Sequence, residues 1–437
     1  MSRTLTSFEW LLQPTEHVIQ CPRMFLDGWH DHQPPIFEGS GRFTLRNSTE
    51  IHFEFDAKAR MQTDGMRALR HCAEEPDDRT SAMRLRGVDY NGTEWNAGWV
   101  RPNLGEIQGD YLQLFGESGA LCTQVQQKEP KSGVELAYSP IPEVPFTEVI
   151  RTTAHLGETQ LGWRTSGGKH RMEILGSVIE AMTQPWSSEL WICASTSEYL
   201  HHPYLENWLS EPLRALRGQL IYPRLVARNF EDGRAAVWVR PAPSLQTTLG
   251  GCASQLRNRS PVEFWSFYEL YLMYVARHRN ADGHPEFEAN DLTRLHDEVI
   301  QARMAGSHWV IALCVASAVE GLVKLDPGFA STPPDFTTEE LASAQKAISE
   351  FENDALRDRL KNSVALLGHA SVAKYLSQMK RDGRISKSQL DAWKKVRNQV
   401  AHGNLFEPWG TREEHERLVD LIQLFYRLTS IRIGYVS

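Results

Sequence analysis

The sequence predicts an α+β chain: a β-rich N-terminal domain, sandwich- or barrel-like, over residues 1–255, then an all-α helical bundle over 256–437. Two patterns predict it. In roughly the first 250 residues, short runs alternate apolar and polar residues between Gly, Pro, Asn and Asp, as half-buried strands joined by turns do. After about residue 255, apolar residues recur three and four apart over long stretches that begin and end on capping residues.

In GRFTLRNSTEIHFEFDA (41–57) two runs, Phe43/Leu45 and Ile51/Phe53/Phe55, flank RNSTE, whose composition suits a turn. Further strands are expected in WNAGWV (95–100), DYLQLFG (110–116), HRMEILG (170–176), ELWICAS (189–195), QLIYPRLVARNF (219–230) and AAVWVRP (235–241). A proline-rich stretch, YSPIPEVP (138–145), marks a candidate division of this half into two lobes. TSGGKH (165–170) holds a Gly-Gly-Lys without the Walker spacing and is expected to form a hairpin turn.

Helices are expected at 261–278, 307–325 with Ser307 as N-cap, 337–351, 354–368, 371–383, 386–403 and 412–430. Ser386 precedes its helix, and Gly383 and Gly403 follow theirs. The most apolar run, WVIALCVASAVEGLVKL (309–325), is as long as a short membrane span, but it carries Glu320 and Lys324. An ionised pair is costly in lipid, so a buried core helix is the expectation, with no membrane partner.

A length of 437 residues suits two or three domains, and 41% hydrophobic with 23% charged residues suits a globular chain. A net charge of −8 argues against coating nucleic acid over the whole surface, while leaving room for a local basic patch. Six scattered cysteines form no CxxC pair, as expected of reduced thiols in a cytoplasm. The opening MSRTLTSFEWLL has no secretory-signal pattern. His30-Asp31-His32 with Cys21 fits no common zinc spacing, and no metal or cofactor is expected. His201 and His202 are expected at the surface. Trp95, Trp99, Trp163, Trp186, Trp191 and Trp208 are expected mostly in the core, some lining a recognition pocket.

Chemistry concentrates in SKSQLDAWKKVRNQVAHG (386–403). Leu390, Trp393, Val396 and Val400 form one apolar stripe, and Lys395, Asn398 and His402 a polar stripe on another face, with Arg397 beside it. Gly403 would leave His402 at the carbonyl end of the helix, whose dipole favours the imidazolium, while Arg397 and Lys395 oppose it. A histidine pulled both ways suits general acid–base work, and the neighbouring cations suit a phosphate that gains negative charge as it reacts. Ordinary C-cap chemistry on a solvated face explains the same residues, and spacing alone does not separate the two.

Arg397-Asn398-Gln399-Val400-Ala401-His402 resembles the R-x4-H motif of the HEPN superfamily, placed near the end of a late helix with one more amphipathic helix after it. The whole chain is similar to the ApeA family, in which a β-rich N-terminal domain precedes a HEPN domain. The N-terminal likeness rests on GSGRFTL, VDYNGTEWNAGW and GDYLQLFG. The resemblance implies a prokaryotic anti-phage abortive-infection protein, a metal-independent endoribonuclease with Arg397, His402 and Asn398 at the motif, restrained by its N-terminal domain until a phage-derived trigger arrives. The expected substrate is RNA, tRNA among the candidates. The ribose 2′-hydroxyl would attack its own phosphate to leave a 2′,3′-cyclic phosphate and a 5′-hydroxyl.

Arg397 and His402 stand about 140° apart on an ideal helix, so two copies of the motif about a two-fold serve one phosphate better than one does. A homodimer or higher even oligomer is the expectation. Glu320 is a further catalytic candidate facing the motif, against the alternative of an intrahelical ion pair with Lys324. Residues 374–397 hold eight basic residues against Asp382 and Asp391. Lys380, Arg381, Arg384, Lys387, Lys394 and Lys395 are therefore candidate RNA-binding residues, with a merely solvated face as the alternative. The rival to the enzyme is a catalytically silent HEPN-type dimerisation or nucleotide-binding scaffold.

Overall fold

Alternation builds the first half as the sequence suggests. In the strand Glu50–Ala59, Ile51, Phe53, Phe55 and Ala57 are buried while the residues between them face outward. In a computed structural model the described residues are 3–435 except 14, 30–33, 47–49, 128, 140–142, 157–158, 184–188, 243–249, 257–259, 280–282, 284, 286–289, 305, 334–335, 367–370 and 402–409. At 62, 150–156, 159–166, 362, 365–366, 400 and 401 only the backbone is described.

The strands are β1 (His17–Asp27), β2 (Phe37–Arg46), β3 (Glu50–Ala59), β4 (Met83–Val88), β5 (Glu94–Val100), β6 (Asn103–Gln108), β7 (Tyr111–Glu117), β8 (Leu121–Gln126), β9 (Gly133–Tyr138), β10 (Glu148–Leu156), β11 (Thr159–Ile174), β12 (Ser177–Thr183), β13 (Leu190–Ser195), β14 (Leu225–Asn229) and β15 (Arg234–Val239). All pairings are antiparallel, in one sheet of order β10-β11-β12-β13-β9-β14-β15-β8-β5-β4-β1-β2-β3-β7-β6. The pairing is continuous and its ends, β10 and β6, do not meet among the described residues. Among the described residues the sheet neither closes into a barrel nor splits into two separately paired sheets.

The sheet has two arms, joined where β5 meets β8 through only Trp95↔Thr123 and Asn96↔Cys122. The proline-rich stretch 138–145 does not divide the lobes, because β9 and β10 on either side of it lie in the same arm. TSGGKH is not a turn either. Gly168 and Lys169 pair with Thr183 and Met182 inside the β11–β12 ladder. Of the stretch 219–230, only Leu225–Asn229 is a strand.

Both arms feed one core, which holds Phe43, Phe53 and Leu85 from one arm and Leu136's neighbour Ala137, Trp191 and Val237 from the other. A 3-10 helix, Thr4–Leu12, inserts Leu5, Phe8, Leu11 and Leu12 into it. Glu135 accepts from the backbone N–H of Thr4 and of Leu5, each at 3.0 Å, at the positive end of this helix. Arg224, almost wholly buried, donates to the Leu12 carbonyl at 2.8 Å at the negative end. Burial holds that guanidinium down to about 10.

Helices α1 (Gln62–Glu74), α2 (Leu205–Trp208) and α3 (Glu211–Arg217) interrupt the strands. The rest are α4 (Pro261–Arg277), α5 (Asp291–Met304), α6 (His308–Lys324), α7 (Pro327–Ala330), α8 (Thr338–Ser349), α9 (Asp354–Leu366), α10 (Val372–Arg381), α11 (Lys387–Ala401) and α12 (Arg412–Arg432). Caps start them where expected: Ser307 accepts from Val310 N–H, and Ser386 and Gln389 bond each other reciprocally. Ile311, Val315, Val319 and Leu322 of α6 are buried, so this apolar helix is a core helix of the bundle. No helix of the described residues is long and apolar enough to cross a membrane.

The chain forms two units. One comprises Met1–Glu211 with Ile221–Leu245, the other Pro212–Leu220 with Gln246–Ser437. Residues 212–220 and 246–255, expected with the β-rich half, therefore belong to the helical unit. Arg214 bonds Asp297 of α5 at 2.6 Å, and the 3-10 helix Cys252–Gln255 packs on α12.

Candidate active site

Leu390, Trp393 and Val396 are buried, so α11 is held to the bundle by the stripe its spacing predicts. The α11 helix packs on α6 and α12, which also touch each other. This packing fixes where the polar residues of α11 point. Arg397, one turn beyond Trp393, lays its guanidinium over that indole with 5.9 Å to the ring centroid. Its Nε donates to Oε1 of Glu320 on α6 at 2.7 Å. The guanidinium side chain is 51% exposed and the carboxylate 26%, so the pair sits at the rim of the bundle rather than in its core.

Glu320 thus pairs across helices with the motif arginine. Lys324, one turn on, is exposed and has no ion pair among the described residues. An arginine carries five donors, and Glu320 engages one of them. Among the described residues no hydrogen-bond acceptor meets the terminal Nη atoms of Arg397. Asn398 is exposed on the same helix. His402 and Gly403 lie outside the described residues, as does the side chain of Val400.

The basic stretch is less free than its composition suggests. Lys395 lies 3.6 Å from Glu413 in the first turn of α12, which also binds Arg417. Arg384 is 4.0 Å from Asp326, Arg381 donates to the Gln378 side chain at 2.5 Å, and Lys374 reaches the Pro333 carbonyl. Lys380, Lys387 and Lys394 are exposed cations with no ion pair among the described residues. Lys387 and Lys394 are two turns apart on one face of α11. Sequence separation hid the neutralising carboxylates: Asp326 and Glu413 lie outside the basic stretch.

Elsewhere His202 is not a surface residue. Its Nε2 meets the Asn229 carbonyl at 3.0 Å, its side chain is 15% exposed, and burial lowers its affinity for a proton. Trp95, Trp191 and Trp208 are core residues, Trp99 is half exposed, and the side chains of Trp163 and Trp186 lie outside the described residues, as do His30, Asp31 and His32. Cys21 is buried and its thiol is pushed up to about 12 by that burial. All six cysteines are unpaired. His71, Glu75 and Asp78 bring ligating atoms within 4.8 Å of one another at the surface, but both Asp78 oxygens are engaged by Thr80.

No family model, curated protein or solved structure matches this chain.

Proposed function

We propose that the helical unit is a HEPN-type, ApeA-like endoribonuclease that acts without a metal and is restrained by the sheet unit in an anti-phage abortive-infection response. The observation that supports it most is the Glu320–Arg397 pair at 2.7 Å. A carboxylate from an earlier helix anchors the Nε side of the motif arginine and leaves its terminal donors for an anion. The R-x4-H spacing on α11 and the single amphipathic helix after it support the same reading.

In this mechanism Arg397 binds the non-bridging oxygens of the scissile phosphate through its Nη donors. His402 takes the proton of the attacking 2′-hydroxyl and returns a proton to the departing 5′-oxygen. Asn398 orients the ribose or the imidazole. Lys387 and Lys394 track neighbouring phosphates. Pairing of two copies in a homodimer or higher even oligomer brings both motifs to one phosphate.

The test is incubation of wild type, Arg397→Ala and His402→Ala, each purified from infected cells so that the restraint is lifted, with RNA and with the same strand carrying a 2′-deoxy residue at the cut site. Wild type is expected to leave 2′,3′-cyclic phosphate ends on RNA alone, and each variant to lose at least about a hundredfold in rate. Cleavage of the deoxy strand refutes the mechanism. Equal inertness of all three proteins, in infected cells as well as in vitro, transfers the reading to a silent HEPN-type scaffold.

A further inference from the structure

The weak join between the two arms of the sheet has a local cause. In the β4–β5 ladder Leu85 faces Gly98 and Arg86 faces Asn96, which leaves Ala97 as an extra residue. Gly98 takes φ of +71°, a left-handed conformation open to glycine, and its N–H turns to the Asn96 side-chain oxygen at 2.8 Å. Ser118 Oγ donates to the displaced Ala97 carbonyl at 2.9 Å. Past Asn96, β5 and β8 no longer pair. A Cβ on Gly98 would meet nothing within 4 Å.

The space so opened is a cavity of about 410 Å³ lined by Arg84, Asn96, Gly98, Trp99, Cys122 and Trp238. That size is within the range of small-molecule sites. Its walls are aromatic. Trp99 is 50% exposed and packs against Trp29, itself 41% exposed, with ring centroids 4.8 Å apart. Two indoles left in solvent are expensive unless something covers them. Trp238 is backed by the Arg228 guanidinium 5.1 Å from its ring, and Arg228 is in turn held by Glu206. Burial pushes the Cys122 thiol up to about 11, which makes it a neutral floor at pH 7.

The polar side chains add mainly donors. Arg84 is exposed with no ion pair among the described residues. Asn96 has its oxygen engaged by Gly98 and keeps its Nδ2 hydrogens. A fitting ligand therefore has a flat π face, hydrogen-bond acceptors on its edge and a negative charge. A cation is repelled by Arg84, and a neutral sugar would need acceptors as well as donors from the walls.

We propose that this cavity binds a nucleotide, with the base against the indoles of Trp99 and Trp238, its acceptors on Asn96 Nδ2 and its phosphate on Arg84. The site stands independently of the ribonuclease reading. The nucleotide has two possible sources, a free nucleoside monophosphate or one residue of a single strand, and both present the same base and phosphate.

The test is calorimetric titration of the full chain with AMP, GMP, CMP and UMP, the four nucleosides, and a short single-stranded RNA. At least one monophosphate or the oligonucleotide is expected to bind saturably, and Trp99→Ala to weaken binding about tenfold or more. Arg84→Ala is expected to erase the preference for monophosphate over nucleoside. Both replace exposed side chains, and circular dichroism checks that the fold is kept. Binding of monophosphates identifies a free nucleotide, and binding of the oligonucleotide alone identifies a strand. Absence of heat with every ligand at millimolar concentration overturns the proposal, as does binding undiminished in both variants.

Discussion

His296 offers a quantitative test of the helical unit that carries the candidate site. It projects from α5 into a wholly buried cage, with ring centroids 6.2, 4.6 and 6.3 Å from those of Tyr271, Phe425 and Tyr426. The Thr429 hydroxyl donates to the Phe425 carbonyl, so at 3.0 Å it accepts from His296 Nε2–H. Burial, and then the charge of Arg214, hold this imidazole down to about 3, against 6.5 for a free one. Between those two values the unfolded chain binds the extra proton, so stability present above pH 6.5 is lost as pH falls towards 3. From pH 7.5 to 5.0 the loss from this one group is ~2 kcal/mol, about 30-fold in the opening equilibrium.

Hydrogen–deuterium exchange of peptides from α5 and α12, corrected for intrinsic rates, reads that change directly. Wild-type protection should fall about 30-fold more than that of a variant without the imidazole over this pH step. His296→Gln should cost ~1–2 kcal/mol at pH 7.5 and then show little of the additional fall. Asp297 beside it, raised by burial and paired with Arg214, shifts the response the other way, but equally in both proteins. Equal loss of protection in wild type and variant would refute the neutral buried histidine.

Glu320→Gln should lower the RNA cleavage rate while leaving RNA affinity near wild type, because Arg397 loses its anchor but not its charge. Partial rescue by Glu320→Asp would mark a positioning role, and faster cleavage in Glu320→Gln would reveal a brake instead. The stability coupling of this half-exposed pair, from a double-mutant cycle with Arg397→Gln, should be only ~0.2–1 kcal/mol. Lys387→Glu with Lys394→Glu should weaken RNA binding and flatten its salt dependence by roughly two counterions, read from binding isotherms at several salt concentrations. Gly41→Ala places a Cβ against the Glu54 carbonyl, 2.7 Å from the Met24 sulfur and 2.8 Å from Phe55 Cα. It should destabilise the sheet unit by ~2–3 kcal/mol in denaturant melts.

Where one element's own periodicity carries the information, the sequence was enough. The strands around Phe43 and Phe53 and the helices 261–277, 308–324 and 412–432 follow from spacing and caps. So does the inward face of α11, because Leu390, Trp393 and Val396 need only their own helix to align. The helix α5 was missed because Thr293 and His296 occupy inward positions on it, which breaks the apolar period. The short α7 was missed because four residues make no period.

What the sequence by itself determined is the two-part α+β order, the core-helix character of 308–324 and an exposed polar face on α11. Tertiary structure alone decided that Glu320 serves Arg397 and not Lys324, that Glu413 and Asp326 thin the basic surface, and that a bulge at Ala97 opens a cavity between two arms of one sheet. Local pattern fixes which face of an element turns inward. Which side chains then meet depends on how elements far apart in the chain pack, and the chain encodes the meeting of Glu320 and Arg397, 77 positions apart, only through the assembled bundle.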